Sequence, residues 1–171
     1  MNPSDDNDLV CSHCRNEINA DDDFCPHCGA MFAEALCCHR HKKSPADGVC
    51  IICALAYCGE CGTLVQGRFL CNRHGNYEIY EGLARVFGVL DDVAAQFAKS
   101  CLDQAGLHPL LYCRRQPRGG PRFVYTLYAA AGDFDGHIIN EIKVMVPCRE
   151  VPQAEKVLKD LNIAASISPD T

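Results

Sequence analysis

No stretch of this chain comes near the roughly eighteen consecutive apolar residues that span a bilayer, so no membrane helix is expected. The opening residues Met1-Asn-Pro-Ser-Asp-Asp-Asn-Asp8 are acidic and carry no apolar run, which argues against a secretory leader and for a cytoplasmic protein. Positive charge is also scarce. The formal net charge is −6, and residues 1–76 hold six Lys and Arg against ten Asp and Glu. A chain built chiefly to neutralise phosphates would show the reverse, so nucleic acid is a disfavoured partner. Large apolar residues are few in the same segment, too few for a core that folds without help.

Cysteine is plentiful: fourteen in 171 residues, eleven of them before residue 77. In a reducing compartment such a density reads as metal ligation rather than disulfides. The last 95 residues are apolar and periodic, long enough to fold unaided, which places a boundary near residues 75–80. The expected organisation is an acidic disordered tail over 1–9, a first metal module over 10–33, a second over 37–76, an α+β domain over 82–163 and a tail over 164–171.

The first module rests on Cys11-Ser-His-Cys14 and, ten residues on, Cys25-Pro-His-Cys28-Gly29. Two such pairs fit one tetrahedral four-cysteine site, with zinc expected and iron the rival metal for the same knuckles. Gly29 suits a backbone that needs positive φ just after the second cysteine. Phe24 and Phe32 are expected to pack on the knuckles, His13 and His27 to stay outside the shell, and Asp21–Asp23 to form a solvated loop. These residues resemble the short zinc ribbon found at the ends of many bacterial proteins.

Four more pairs follow: Cys38-x2-His41, Cys50-x2-Cys53, Cys58-x2-Cys61 and Cys71-x2-His74. Each pair can close on one ion from a tight turn, so four pairs make two further sites. Cys37 and His39 are alternatives to Cys38 and His41, but the latter keep the two-residue interval of the other pairs. The gaps of eight, four and nine residues, with Tyr57-Cys58-Gly-Glu-Cys61-Gly62, resemble the B-box family of zinc fingers. That resemblance implies a cross-brace, with Cys38, His41, Cys58 and Cys61 at one ion and Cys50, Cys53, Cys71 and His74 at the other. Spacing by itself also allows sequential pairing. The Cys-x-His step of RING fingers is missing, so no ubiquitin-ligase activity is inferred. Three zinc ions per chain are expected, taking the net charge to about −10 with ten thiolates.

Beyond the boundary, Ala84–Leu90 reads as a strand, and Asp91-Asp92 caps a helix that ends at Gly106. Val93, Ala94, Phe97, Cys101 and Ala105 recur at helical intervals and mark its apolar face. Strands over His108–Cys113, Arg122–Ala129 and Ile142–Val146 precede a helix from about Arg149 to Leu161. The expected fold is an α+β sandwich of ferredoxin-like type, its helices on one face of a largely antiparallel sheet. Val86-Phe-Gly-Val-Leu-Asp-Asp-Val-Ala-Ala95, Cys101-Leu-Asp-Gln-Ala-Gly-Leu107 and Val144-Met-Val-Pro147 resemble a small bacterial family described as signal-transducing proteins, a domain of unknown function. The Gly132–His137 segment lengthens the connection before the last strand.

No catalytic constellation stands out there, and Cys101, Cys113 and Cys148 read as packing thiols. Arg114, Arg115, Arg118 and Arg122 around Gly119-Gly120-Pro121 are candidate ligands for a phosphate or carboxylate. The leading functional expectation is a non-enzymatic, zinc-stabilised regulatory or adaptor protein whose fingers bind a protein partner, while the C-terminal domain binds a second partner, self-associates or senses a small ligand. The alternatives are a nucleic-acid binder, or a thiol oxidoreductase acting through Cys58 and Cys61.

Overall fold

The computed structural model describes residues 9–32, 36–113 and 141–163. Two compact units divide the chain, Met1–Tyr77 and Glu78–Thr171. Residues 1–8 and 164–171 of the expected tails, residues 33–35 between the two metal modules, the Arg122–Ala129 strand, the Gly132–His137 segment and all four arginines of the glycine-rich stretch lie outside the described residues.

The first unit is a set of short antiparallel hairpins: β1 (Leu9–Val10) with β2 (Glu17–Ile18), β3 (Gly48–Val49) with β4 (Ala56–Tyr57), and β5 (Gly62–Val65) with β6 (Arg68–Cys71). The last turns on Gln66 and Gly67, both at positive φ, the pairing that lets a two-residue loop follow the twist of its strands. The apolar interior is small and rests on Val49, Ile51, Ile52, Phe69 and Leu70. Ile51 and Ile52 are the two residues inside the Cys50–Cys53 turn, so that turn is sunk in the unit.

The ribbon and the double finger, expected as successive modules, are joined by backbone hydrogen bonds. Val49 N donates to Gly29 O at 2.9 Å, and Phe69 N donates to Cys28 O at 2.8 Å. The ribbon's second knuckle therefore docks by its backbone on β3 and β6. Gly29 has φ +81°, and a Cβ there would overlap the Val49 carbonyl and crowd the Phe69 Cβ. Phe32, expected on a knuckle, is exposed.

In the second unit the antiparallel sheet runs in the order β7 (Ile79–Tyr80), β8 (Leu83–Val89), β10 (Ile142–Pro147), β9 (Leu110–Cys113). Helix α1 (Asp92–Gln104) is capped by Asp91, whose Oδ1 accepts from Ala94 N at 2.9 Å. After a short 3₁₀ turn at Cys148–Glu150, which replaces the expected start of the last helix, α2 runs over Val151–Asp160. Both helices pack on β8 and β10 and on each other, so they share one sheet face. That interface buries Ala84, Val86, Val144 and Val146 from the sheet, Ala95, Ala98 and Leu102 from α1, and Val151, Ala154 and Leu158 from α2.

The predicted apolar face of α1 is corrected as well. Val93 and Phe97 lie on the side away from the core and are exposed. The opposite sheet face is charged. Lys143 Nζ lies 2.7 Å from Glu78 Oε1, Arg85 reaches Glu78 at 3.6 Å, and Arg85 also pairs with Glu141. Tyr80 and Tyr112, from opposite edges of the sheet, bring their rings to 5.9 Å. Flat edges three strand gaps apart would be about 14 Å away, so the sheet curls into a half-barrel.

Candidate metal centres

Each cysteine pair sits on a reverse turn of one design. Arg15 N, Gly29 N, Ala54 N and Gly62 N donate to the carbonyls of Cys11, Cys25, Cys50 and Cys58, at 2.8, 2.9, 2.8 and 3.0 Å. The donor is always the residue after the second cysteine. Three of the four adopt positive φ: Arg15 at 61°, Gly29 at 81° and Ala54 at 56°. Only one of those three is glycine, so two positions carry backbone strain that the ligand geometry must offset.

Among the described residues three ligand groups form, and within each the four ligand atoms lie within 4.8 Å of one another. Cys11, Cys14, Cys25 and Cys28 make the first, Cys38, His41, Cys58 and Cys61 the second, and Cys50, Cys53, Cys71 and His74 the third. The interleaved grouping is the one that the B-box resemblance implies. Cys37 stays exposed beside its neighbour, bridged to Pro45, and the His39 ring packs edge-on to Tyr57 at 6.1 Å. His13 and His27 are exposed and belong to no group.

A tetrahedral shell with Zn–S bonds of about 2.3 Å has S···S edges of about 3.8 Å and slightly shorter S···N edges. Cys11 and Cys28 sulfurs stand 3.8 Å apart and those of Cys14 and Cys25 3.5 Å. His41 Nδ1 lies 3.3 Å from Cys58 Sγ and 3.7 Å from Cys61 Sγ. His74 Nδ1 lies 3.5 Å from Cys50 Sγ and 3.3 Å from Cys71 Sγ. The donor sets and their separations fit zinc, and all the cysteines are free thiols. Four protein ligands fill each shell and leave no position for a reactive water.

The electrostatics follow from crowding thiols without a cation. Burial raises the Cys14 thiol, but the backbone and side-chain amides of Asn16, with Cys25 and Cys28, outweigh it and bring it to about 7. Burial likewise opposes the Cys38 thiolate, and the amides of His41, Cys58 and Arg40 bring it to about 6. At His74 burial favours the neutral ring, yet the Cys50 and Cys71 thiolates prevail and hold it up at about 9.

Two groups that touch the ligands escaped the sequence reading. Asn16 Nδ2 donates to Cys14 Sγ at 3.3 Å, and the Tyr57 hydroxyl lies 3.8 Å from Cys53 Sγ. Tyr57 adjoins Cys58 of the second group, but its side chain reaches a ligand of the third. The strand pairing that aims it there is not visible in a spacing pattern. Tyr77 packs edge-on to His74 with ring centroids 5.6 Å apart.

With this geometry in hand, the family model of the zinc-ribbon domain matches residues 10–32, the segment that holds the first ligand group. No curated protein and no solved structure matches the chain. Among the described residues no helix is long and apolar enough to cross a membrane.

Proposed function

We propose that this chain is a non-enzymatic, zinc-stabilised adaptor whose first unit presents a fixed surface to a protein partner. The observation that carries the reading is the closure of all three ligand groups, each with four protein side chains and no vacancy for substrate. In this reading Cys38–His74 is a B-box-type cross-brace. Cys58 and Cys61 serve as ligands within it rather than as a redox pair. The second unit is a ferredoxin-like domain of signalling type. Strand order β8-β10-β9 with helices after β8 and β10 supports that, the β7 hairpin occupying the edge beside β8.

A further contact, on the second unit, is supported by α1, where Val93 and Phe97 are 77% and 57% exposed, and by Leu90 just before the helix, 69% exposed. Exposed apolar groups at helical spacing suit a protein contact. Native mass spectrometry of the purified chain tests the metal assignment, with three zinc ions per chain expected. Two ions, or an iron-containing species with visible absorbance, contradicts it. Replacing Val93 and Phe97 by aspartate tests the contact: the helix stays intact by circular dichroism while binding to the cognate partner, or self-association, is lost.

A further inference from the structure

The three ligand groups share a count but not a setting. Each has one member less buried than the rest: Cys14, Cys53 and His41. Cys14 receives the Asn16 amide at 3.3 Å, and Cys53 has the Tyr57 hydroxyl at 3.8 Å. Such donors fix a ligand's orientation and spread its charge. His41 is the one exposed ligand of the three groups. Its side chain is 45% exposed, and the charged group paired with it is the Glu60 carboxylate, 3.8 Å from Nδ1 and itself 85% exposed. A ligating imidazole is oriented by an acceptor on its outer N–H, whereas Glu60 lies against Nδ1, the nitrogen turned to the Cys58 and Cys61 sulfurs. Phe69 N and Val49 N donate to Cys28 O and Gly29 O and tie the first group to the third, while Asn72 N donates to Cys61 O at 2.9 Å and ties the second to the third. The backbone thus holds all three, and the difference lies at the His41 side chain.

The geometry points to one exchangeable zinc ion among three: the one held by Cys38, His41, Cys58 and Cys61. The inference rests on the zinc reading above. When the exposed imidazole swings away, one coordination position opens to water or to an incoming carboxylate, amine or thiolate ligand. Exchange is then ligand substitution without change of oxidation state, and the vacated thiolates take protons from solvent. The partner implied is a zinc donor or acceptor, with the other two ions kept as structural ballast.

The full chain carrying three zinc ions is mixed with excess EDTA and sampled by native mass spectrometry. In parallel, pulses of N-ethylmaleimide followed by peptide mapping record which thiols become free. One ion is expected to leave at least tenfold faster than the others, with Cys38, Cys58 and Cys61 labelled in that first stage. Cys37, exposed throughout, is labelled from the start and serves as reference. His41→Cys, which keeps four ligands, should slow the first stage towards the other two. Loss of all three ions in one stage, or first labelling of either other group, overturns the inference, as does an unchanged rate in a folded His41→Cys chain. Fewer than three ions before EDTA is added overturns the zinc assignment instead.

Discussion

His74 Nδ1 lies 3.5 Å from Cys50 Sγ and 3.3 Å from Cys71 Sγ, so a proton and a zinc ion compete for one lone pair. In the metal-free chain the thiolates lift this imidazole from its ordinary 6.5 to about 9. A raised folded value means that the protonated contact stabilises the metal-free fold fully below about pH 6.5 and is lost as pH climbs through 9. Zinc has the opposite requirement, because it needs the bare nitrogen. The affinity of this cluster should therefore rise with pH across the window from 6.5 to 9, with a proton released from His74 at pH 7. Calorimetric titration of the metal-free chain in buffers of different ionisation enthalpy reads that proton. Affinity that stays flat through the window contradicts the raised imidazole. At the same scale, Ala54 holds φ at 56° in an exposed turn, where glycine avoids the Cβ strain. Ala54→Gly is expected to raise the melting temperature of the zinc-loaded protein, by the equivalent of about 1 kcal/mol.

Helix α1 shows what an element discloses before its neighbours are known. Its start at Asp91 and its end at Gly106, where φ is +79°, are local chemistry and were legible. Which side it buries was not. Hydropathy favours the large Val93 and Phe97, but close approach to β8, β10 and α2 calls for the small Ala95 and Ala98 with Leu102 between the layers. The charged sheet face was hidden for a related reason, since Arg85 and Glu141 meet across 56 positions of sequence. Glu141 is 6% exposed and its second oxygen has no partner among the described residues. Arg85→Ala should thus destabilise the second unit by about 3–5 kcal/mol, while replacing both residues by Leu and Met costs much less. Urea unfolding followed by circular dichroism separates the two outcomes, and equal losses would show that an unpaired Glu141 is not what destabilises the single variant. The cysteine pairs lie at the other extreme. Their turns are set by spacing alone, so the ligands could be listed in advance, whereas the interleaved grouping required the resemblance.

For the first unit as a whole, the docking of the ribbon on β3 and β6 turns two modules into one folding problem. Cys28 and Gly29 bond to the strands that lead to Cys50 and Cys71, so the first and third clusters are mechanically joined. Gly29→Ala adds a Cβ against the Val49 carbonyl at a left-handed backbone position. It should loosen both clusters together, and dialysis that the parent survives should strip two zinc ions from the variant. Loss confined to the ribbon would mean that the docking carries little energy. The cluster at the centre of this arrangement also has an optical signature. The chain has six tyrosines and no tryptophan. Tyr57 touches Cys53 and Tyr77 faces His74, so two native emitters flank one ion site. Unmasked by indole, their ultraviolet fluorescence can follow the filling and emptying of that site without a dye or a label.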